Sequence, residues 1–179
     1  MRVPVNPLQA VRRMLGREDL PAGFTGTLEP DERVLAGAAV AGGGHVVVTS
    51  WGLWLLDGEG YRRVGWHLVS KATWDNGLLL LIEADEQEVL RGAVLLADRA
   101  PLRLRLDRPG GVPQAVHERV TSSIRTRHHR DLPDGGVWFV QRKVPGRDGF
   151  VLQVRPDPGT DPAAVRRLAA DVAAGLGLA

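Results

Sequence analysis

Hydrophobic and polar residues alternate in short runs along most of this chain, a period that fits half-buried strands better than long helices. Val34–Val40 and His45–Thr49 are two such runs on either side of Gly42-Gly43-Gly44. Leu53–Leu56 and Tyr61–Trp66 flank Asp57-Gly58-Glu59-Gly60, and Val69–Trp74 and Leu78–Ala84 flank Asp75-Asn76-Gly77. Asn-Gly between two apolar runs is a strong hairpin signal. Leu102, Leu104 and Leu106 alternate with Arg103, Arg105 and Asp107, so one more strand is expected there. Between Asp85 and Ala100 two readings stand open: Val89–Leu96 is another strand, or a loop crossing the barrel. About seven short strands joined by tight turns predict an antiparallel barrel or sandwich.

The period changes at both ends. Asn6-Pro7 can cap and open a helix whose stripe is Leu8, Val11, Met14 and Leu15, with Gly16 at its end. Residues 17–32, rich in Gly, Pro and acids, read as a linker. After Gly110-Gly111 a second text begins. Pro113 opens a helix carrying Val116 and Val120; Ile124–Arg130 is open to a strand or a helix, and its alternation favours the strand. Val137–Val144 and Phe150–Arg155 form a hairpin, and Thr160-Asp161-Pro162 starts a last helix. Its stripe is Val165, Leu168, Ala169, Val172, Ala173 and Leu176, with Leu168 expected to face the core from the centre. The organisation is therefore an N-terminal helix and linker over 1–29 and a β-barrel over 30–111. An α-β-β-β-α segment over 112–179 follows, able to pack as one unit with the barrel.

Composition narrows the function more by exclusion than by assignment. The chain has 179 residues and no cysteine, so it has no disulfide framework, thiolate metal site or cysteine nucleophile. Val34–Leu56 carries no formal charge, but three glycines near its centre suit a turn between strands better than a membrane helix. Residues 1–24 hold four arginines and no apolar run long enough for a signal peptide, so the cytoplasm is the expected location.

Each familiar chemistry lacks a required residue. Neither Lys71 nor Lys143 follows a glycine, so no phosphate loop of the Walker type exists. His117-Glu118 begins like a metalloprotease helix, but Thr121 stands where the second histidine belongs. His128 and His129, adjacent on a strand, point to opposite faces. The serines lack a nucleophile elbow, and Asp85, Glu86 and Glu88 read as an exposed acidic turn. No catalytic residue, cofactor or metal site is expected. Trp66, Trp74 and Trp138 read as packing residues, and Trp51, next to a turn, is the tryptophan expected to be exposed.

Charge leaves one candidate surface. The formal net charge is only +2, but residues 1–111 carry 13 basic and 14 acidic residues, against 10 and 7 in residues 112–179. Arg119, Arg125, Arg127 and Arg130 lie in a tract with His128, His129 and no acid. Together with Trp51 they are the candidate partner or nucleic-acid surface. The α-β-β-β-α order resembles that of double-stranded-RNA-binding domains, which read shape and phosphates. That family opens its last helix with lysines, where this chain has Thr160-Asp161-Pro162-Ala163-Ala164. A nucleic-acid partner is accordingly the weaker expectation, and an unidentified protein partner the stronger one.

Five segments carry a further resemblance: Trp51-Gly52-Leu53-Trp54, Trp66-His67, Ala72-Thr73-Trp74-Asp75, Glu118-Arg119-Val120-Thr121 and Val144-Pro145-Gly146-Arg147-Asp148. Together they resemble an uncharacterised family of small proteins from high-GC bacteria. The β segment followed by a helix is similar to the pleckstrin-homology-like superfold, a bent seven-stranded barrel capped by one helix. The fold class this implies is α+β: a PH-like antiparallel barrel or roll followed by the α-β-β-β-α segment. Phosphoinositide-binding members fill the first strand–strand loop with basic residues. Here that loop is Ala41-Gly42-Gly43-Gly44, so no phosphoinositide binding is expected. A non-catalytic binding or scaffolding module is the function this leaves.

Overall fold

A computed structural model describes residues 19–178. The helix expected over residues 6–16 lies outside the described residues. The described residues are α+β, mostly sheet, with two α-helices among them. Strands β1 (Val34–Ala39), β2 (His45–Thr49), β3 (Gly52–Asp57) and β4 (Gly60–Gly65) form a four-stranded antiparallel sheet in sequence order. The uncharged stretch 34–56 is thus divided among three strands. Gly42, Gly43 and Gly44 make the first turn with φ of 96°, 125° and 73°, values a side chain would resist. No helix among the described residues is long and apolar enough to cross a membrane.

A one-turn 3-10 helix (Trp66–Leu68) leads into β5 (Val69–Asp75), which pairs with β6 (Leu78–Leu90) across Asn76-Gly77. Both turn residues have positive φ, 45° and 79°, as a two-residue hairpin requires. β8 (Leu102–Arg105) pairs with the first half of β6, and Ala41 N–H donates to Arg105 O at 2.9 Å, tying the end of β1 to β8. The result is a curled, half-barrel arrangement. Helix α1 (Val112–Ser123) packs on it, burying Val112 and Val116 among Leu53, Val64, Leu79 and Leu81.

β6 answers the question left open over 85–100. It runs on for 13 residues, changes register between Glu86 and Glu88, and pairs there with β7 (Ala93–Asp98). The acidic run expected in an exposed turn is therefore strand. Its charges are met from far along the chain: Asp85 accepts from Arg99 at 2.7 Å and Glu88 from Arg166 at 2.9 Å. β7 then pairs in parallel with β11 (Val151–Pro156), and the order continues β11, β10 (Gly135–Arg142), β9 (Ile124–Leu132). Helix α2 (Pro162–Gly175) covers one face of this sheet, burying Val165, Ala169 and Ala173 against Val137, Phe139, Leu152 and Val154. Leu168 sits beside that cluster half-buried, because the deepest line of the helix is Val165–Ala169–Ala173. Packing thus runs across residue 111 in both directions, with α1 on the first core and Ala93 in the second.

Residues 19–32 are more than a linker. Phe24 packs its ring 5.4 Å from Trp54 and 4.8 Å from Tyr61 on the outer face of the first sheet. Glu32 anchors the segment. Its carboxylate accepts from Thr49 Oγ1 at 2.5 Å, Trp54 Nε1 at 2.8 Å, Glu29 N–H at 3.0 Å and Arg63 Nη1 at 2.5 Å. Burial alone would raise the Glu32 carboxyl, but these hydrogen bonds and the Arg63 charge outweigh it and hold it below its usual value.

Candidate interaction surface

β9 is the last strand of its sheet, so one of its two backbone edges pairs with β10 and the other with no described strand. Its register decides where the basic tract points. Arg130 lies opposite Val137 and His128 opposite Phe139, while His129 lies opposite Trp138 and Arg127 opposite Val140. Residues directly opposite share a face. Val137 and Phe139 face α2, so Arg130 and His128 are on that side; Arg127, His129 and Trp138 are on the other. Between Gln141 and Arg142 the register slips, leaving Arg125 as an extra residue on β9.

Two cations of β9 are stacked on aromatic rings. The Arg125 guanidinium lies 4.9 Å from the centre of the Phe150 ring, and that of Arg127 lies 5.8 Å from the Trp138 ring. Both rings are open to solvent, Trp138 at 38% and Phe150 at 39% exposure. The His129 ring also lies 4.8 Å from that of Trp138, and His129 Nε2 is 2.9 Å from Asp157. Among the described residues, neither Arg125 nor Arg127 has a carboxylate within ion-pair distance.

The other candidates lie elsewhere. Arg130 lines a groove between β9 and α2 with Val172 and Leu176, and Arg119, on α1, lines a separate hollow with Ser50 and Lys143. The four arginines therefore do not form one basic patch. Trp51 is half-buried rather than exposed. Arg63 stacks 5.3 Å from its ring centre on one side, and a Cβ at Gly146 would come within 2.4 Å of the ring. Trp138, expected to be a packing residue, and Phe150, expected only as the start of a strand, are both half-open to solvent and hold the two stacked arginines. The signal for Trp138 was available: in Val137-Trp138-Phe139-Val140, alternation puts it on the face opposite the two residues that enter the core.

Arginines of the first sheet are used differently. Arg62 makes a two-pronged contact with Glu83, at 2.8 and 2.7 Å, and lies 3.2 Å from Asp57. Arg63 is held by Glu32 and lies 3.6 Å from Glu29. At the start of α2 the Asp161 carboxylate accepts from the N–H groups of Ala163 and Ala164 at 3.2 and 3.1 Å, occupying the helix end where a phosphate could otherwise sit.

Among the described residues no group of three His, Asp or Glu is arranged to hold a metal ion. Comparison with protein families, with curated proteins and with solved structures finds no match to this chain.

Proposed function

We propose that this chain is a cytoplasmic, non-catalytic binding module that docks an extended acidic segment of another protein along β9. The observation that carries this reading is the pair of stacks, Arg125 on Phe150 and Arg127 on Trp138. A guanidinium held over an exposed ring keeps its outward N–H groups free and its charge unneutralised, and Trp and Arg are the residues that dominate protein interfaces. The open backbone of β9 offers main-chain hydrogen bonds to an added strand, with alternate side chains meeting the arginines. Charges on an edge strand also guard it against pairing with further copies. Stacking two of those charges on exposed rings goes beyond that protective use.

The pleckstrin-homology-like reading of the first unit belongs to the same proposal. It is supported by the four-stranded sheet, the second layer of β5, the first half of β6 and β8, and the helix α1 packed on both. Phosphoinositide binding is not part of it, because Arg62 and Arg63 are taken up by Glu83, Asp57, Glu32 and Glu29. Nucleic acid is the second reading. Aromatic rings beside cations can stack bases, but Arg119, Arg127 and Arg130 line three different hollows, and phosphate binding needs dense cationic contacts.

The test is selection from a displayed library of extended peptides, followed by anisotropy and hydrogen exchange. Enriched sequences should be acidic, bind less tightly to the double variant Arg125→Glu, Arg127→Glu, and slow exchange along β9. Enrichment without acidic residues, or binding untouched by the double variant, would overturn the reading. Salt-sensitive binding of mixed single-stranded RNA that the double variant abolishes would replace it with the nucleic-acid one.

A further inference from the structure

Two stretches of the curled sheet that runs from β5 to β9 turn faces toward each other that neither core uses. In β6, Leu79 and Leu81 enter the first core, which leaves Ile82, paired with Lys71 of β5, on the outer face. In β10, Val137 and Phe139 enter the second core, which leaves Trp138, Val140 and Arg142 on the opposite face, with Arg155 of β11 directly across from Trp138. Where these faces meet lies an open pocket of about 380 Å³. Its apolar wall is Ile82, Ile124, Val140 and Trp138. Its charged lining is Lys71, Arg127, Arg142 and Arg155 against Asp98 and Asp157.

The positive charge here is incompletely met. Arg142 is only 2% exposed, and its Nη2 donates to the carbonyls of Trp66 and Val69, with no carboxylate within ion-pair reach among the described residues. Arg155 donates through Nη1 to the Ser70 hydroxyl and lies 3.6 Å from Asp98. Nε of Arg142, and Nε and Nη2 of Arg155, are buried with no acceptor among the described residues. Ser70 in turn bonds Asp98, and Asp157 is engaged by His129, so both acids of the lining have other partners as well. Burial pushes the guanidinium of Arg142 down to about 10, with the neighbouring Arg155 charge adding to the effect. Buried charge met only by neutral dipoles is costly, and an anion nearby offsets it.

We infer that this pocket binds a small amphipathic oxyanion: an apolar or aromatic body against Trp138, Ile82, Ile124 and Val140, carrying one carboxylate or phosphate toward Lys71, Arg127 and the buried arginines. The pocket shares Arg127 and Trp138 with the proposed docking strand, but Lys71, Arg142 and Arg155 stand apart from it, so either assignment can fail alone.

Phenyl phosphate and benzoate serve as probes on the full chain, with benzyl alcohol as the neutral control and chloride holding ionic strength constant. Tryptophan fluorescence and the thermal midpoint are read together. Both anions should give a saturable fluorescence change and raise the midpoint, the phosphate more than the carboxylate, while benzyl alcohol does neither. Lys71 is exposed, so Lys71→Glu should keep the fold and weaken phenyl phosphate by about tenfold, the scale of one charge-assisted contact. Arg127→Gln should weaken it in the same direction, and Arg125→Ala should leave it unchanged. Equal response to benzyl alcohol, a response that never saturates, or full affinity in both Lys71→Glu and Arg127→Gln would overturn the assignment.

Discussion

The curled first unit and the β9 edge of the second both carry arginines beside aromatic rings, and they use them in opposite ways. Arg63 stacks 5.3 Å from Trp51 and 5.4 Å from Trp54, yet its charge is closed by Glu32, a carboxylate whose side chain is fully buried. Arg125 and Arg127 stack on Phe150 and Trp138 with no such partner among the described residues. One arrangement pins residues 19–32 to a sheet; the other leaves charge and ring facing outward. A cation beside an aromatic ring therefore says little about function until its counter-charge is known.

The sharpest contrast is in stability. Leu81 is fully buried in the first core, so Leu81→Ala should cost about 2–5 kcal/mol in urea denaturation. Leu168→Ala, at the half-buried margin of the second core, should cost about 1–2 kcal/mol. Equal losses would show that Leu168 is packed as deeply as Leu81 rather than at the margin of its core.

Glu32→Ala breaks the first unit's closed cluster. It strips the acceptor from Trp54 Nε1–H, from the Glu29 N–H and from Arg63, and should cost about 2–3 kcal/mol. Hydrogen exchange should speed up over residues 19–32 first. Unchanged exchange there would mean that Glu32 is not the anchor.

Acid should act where the two units meet. Gln153 Nε2 donates to His67 O at 2.7 Å, joining β11 to the 3-10 turn. The His67 imidazole is pushed from 6.5 down to about 4, chiefly by burial and then by the charges of Arg142 and Arg147. Below 6.5 the unfolded chain takes up a proton that the folded chain refuses until about 4. The stability this represents is complete above pH 6.5, declines as the pH falls and levels off below about 4. Glu32, also depressed, adds its own loss only below its usual value of 4.5. Denaturation midpoints should therefore drop between pH 6.5 and 4.5, and His67→Gln should flatten that window. A drop of the same size in the variant would clear His67 of the effect.

Much of this frame was legible before any coordinates. Asn76-Gly77 and Gly42–Gly44 fixed two hairpins because each turn demands a backbone conformation few residues adopt. Asp161-Pro162 marked the start of α2, and alternation from Ile124 to Arg130 marked β9. What stayed hidden depended on contacts distant in sequence. Asp85 and Glu88 looked like a turn because carboxylates are poor strand residues; Arg99 and Arg166 change that. Glu32 looked like the end of a linker until its donors came from Thr49, Trp54 and Arg63. Trp51 was misjudged by its position beside a turn, where the ring is covered by Arg63 and closes on Gly146. The basic tract was visible, but its division between two faces required the pairing of β9 with β10, and Phe150 needed the register slip beside Arg125.

The central claim is that β9 is open for an acidic strand while the first unit's arginines are closed. Fluorescence anisotropy of a labelled acidic peptide from the selection tests it most directly, measured against wild type, Arg125→Ala with Arg127→Ala, and Arg62→Ala. The β9 double variant should retain the wild-type thermal midpoint, since both side chains are exposed, and should lose binding by tenfold or more, about 1.4 kcal/mol. Arg62→Ala should lose stability through its broken Glu83 contact and keep full affinity wherever it remains folded. Undiminished binding by the double variant, or binding lost in folded Arg62→Ala instead, would contradict the account.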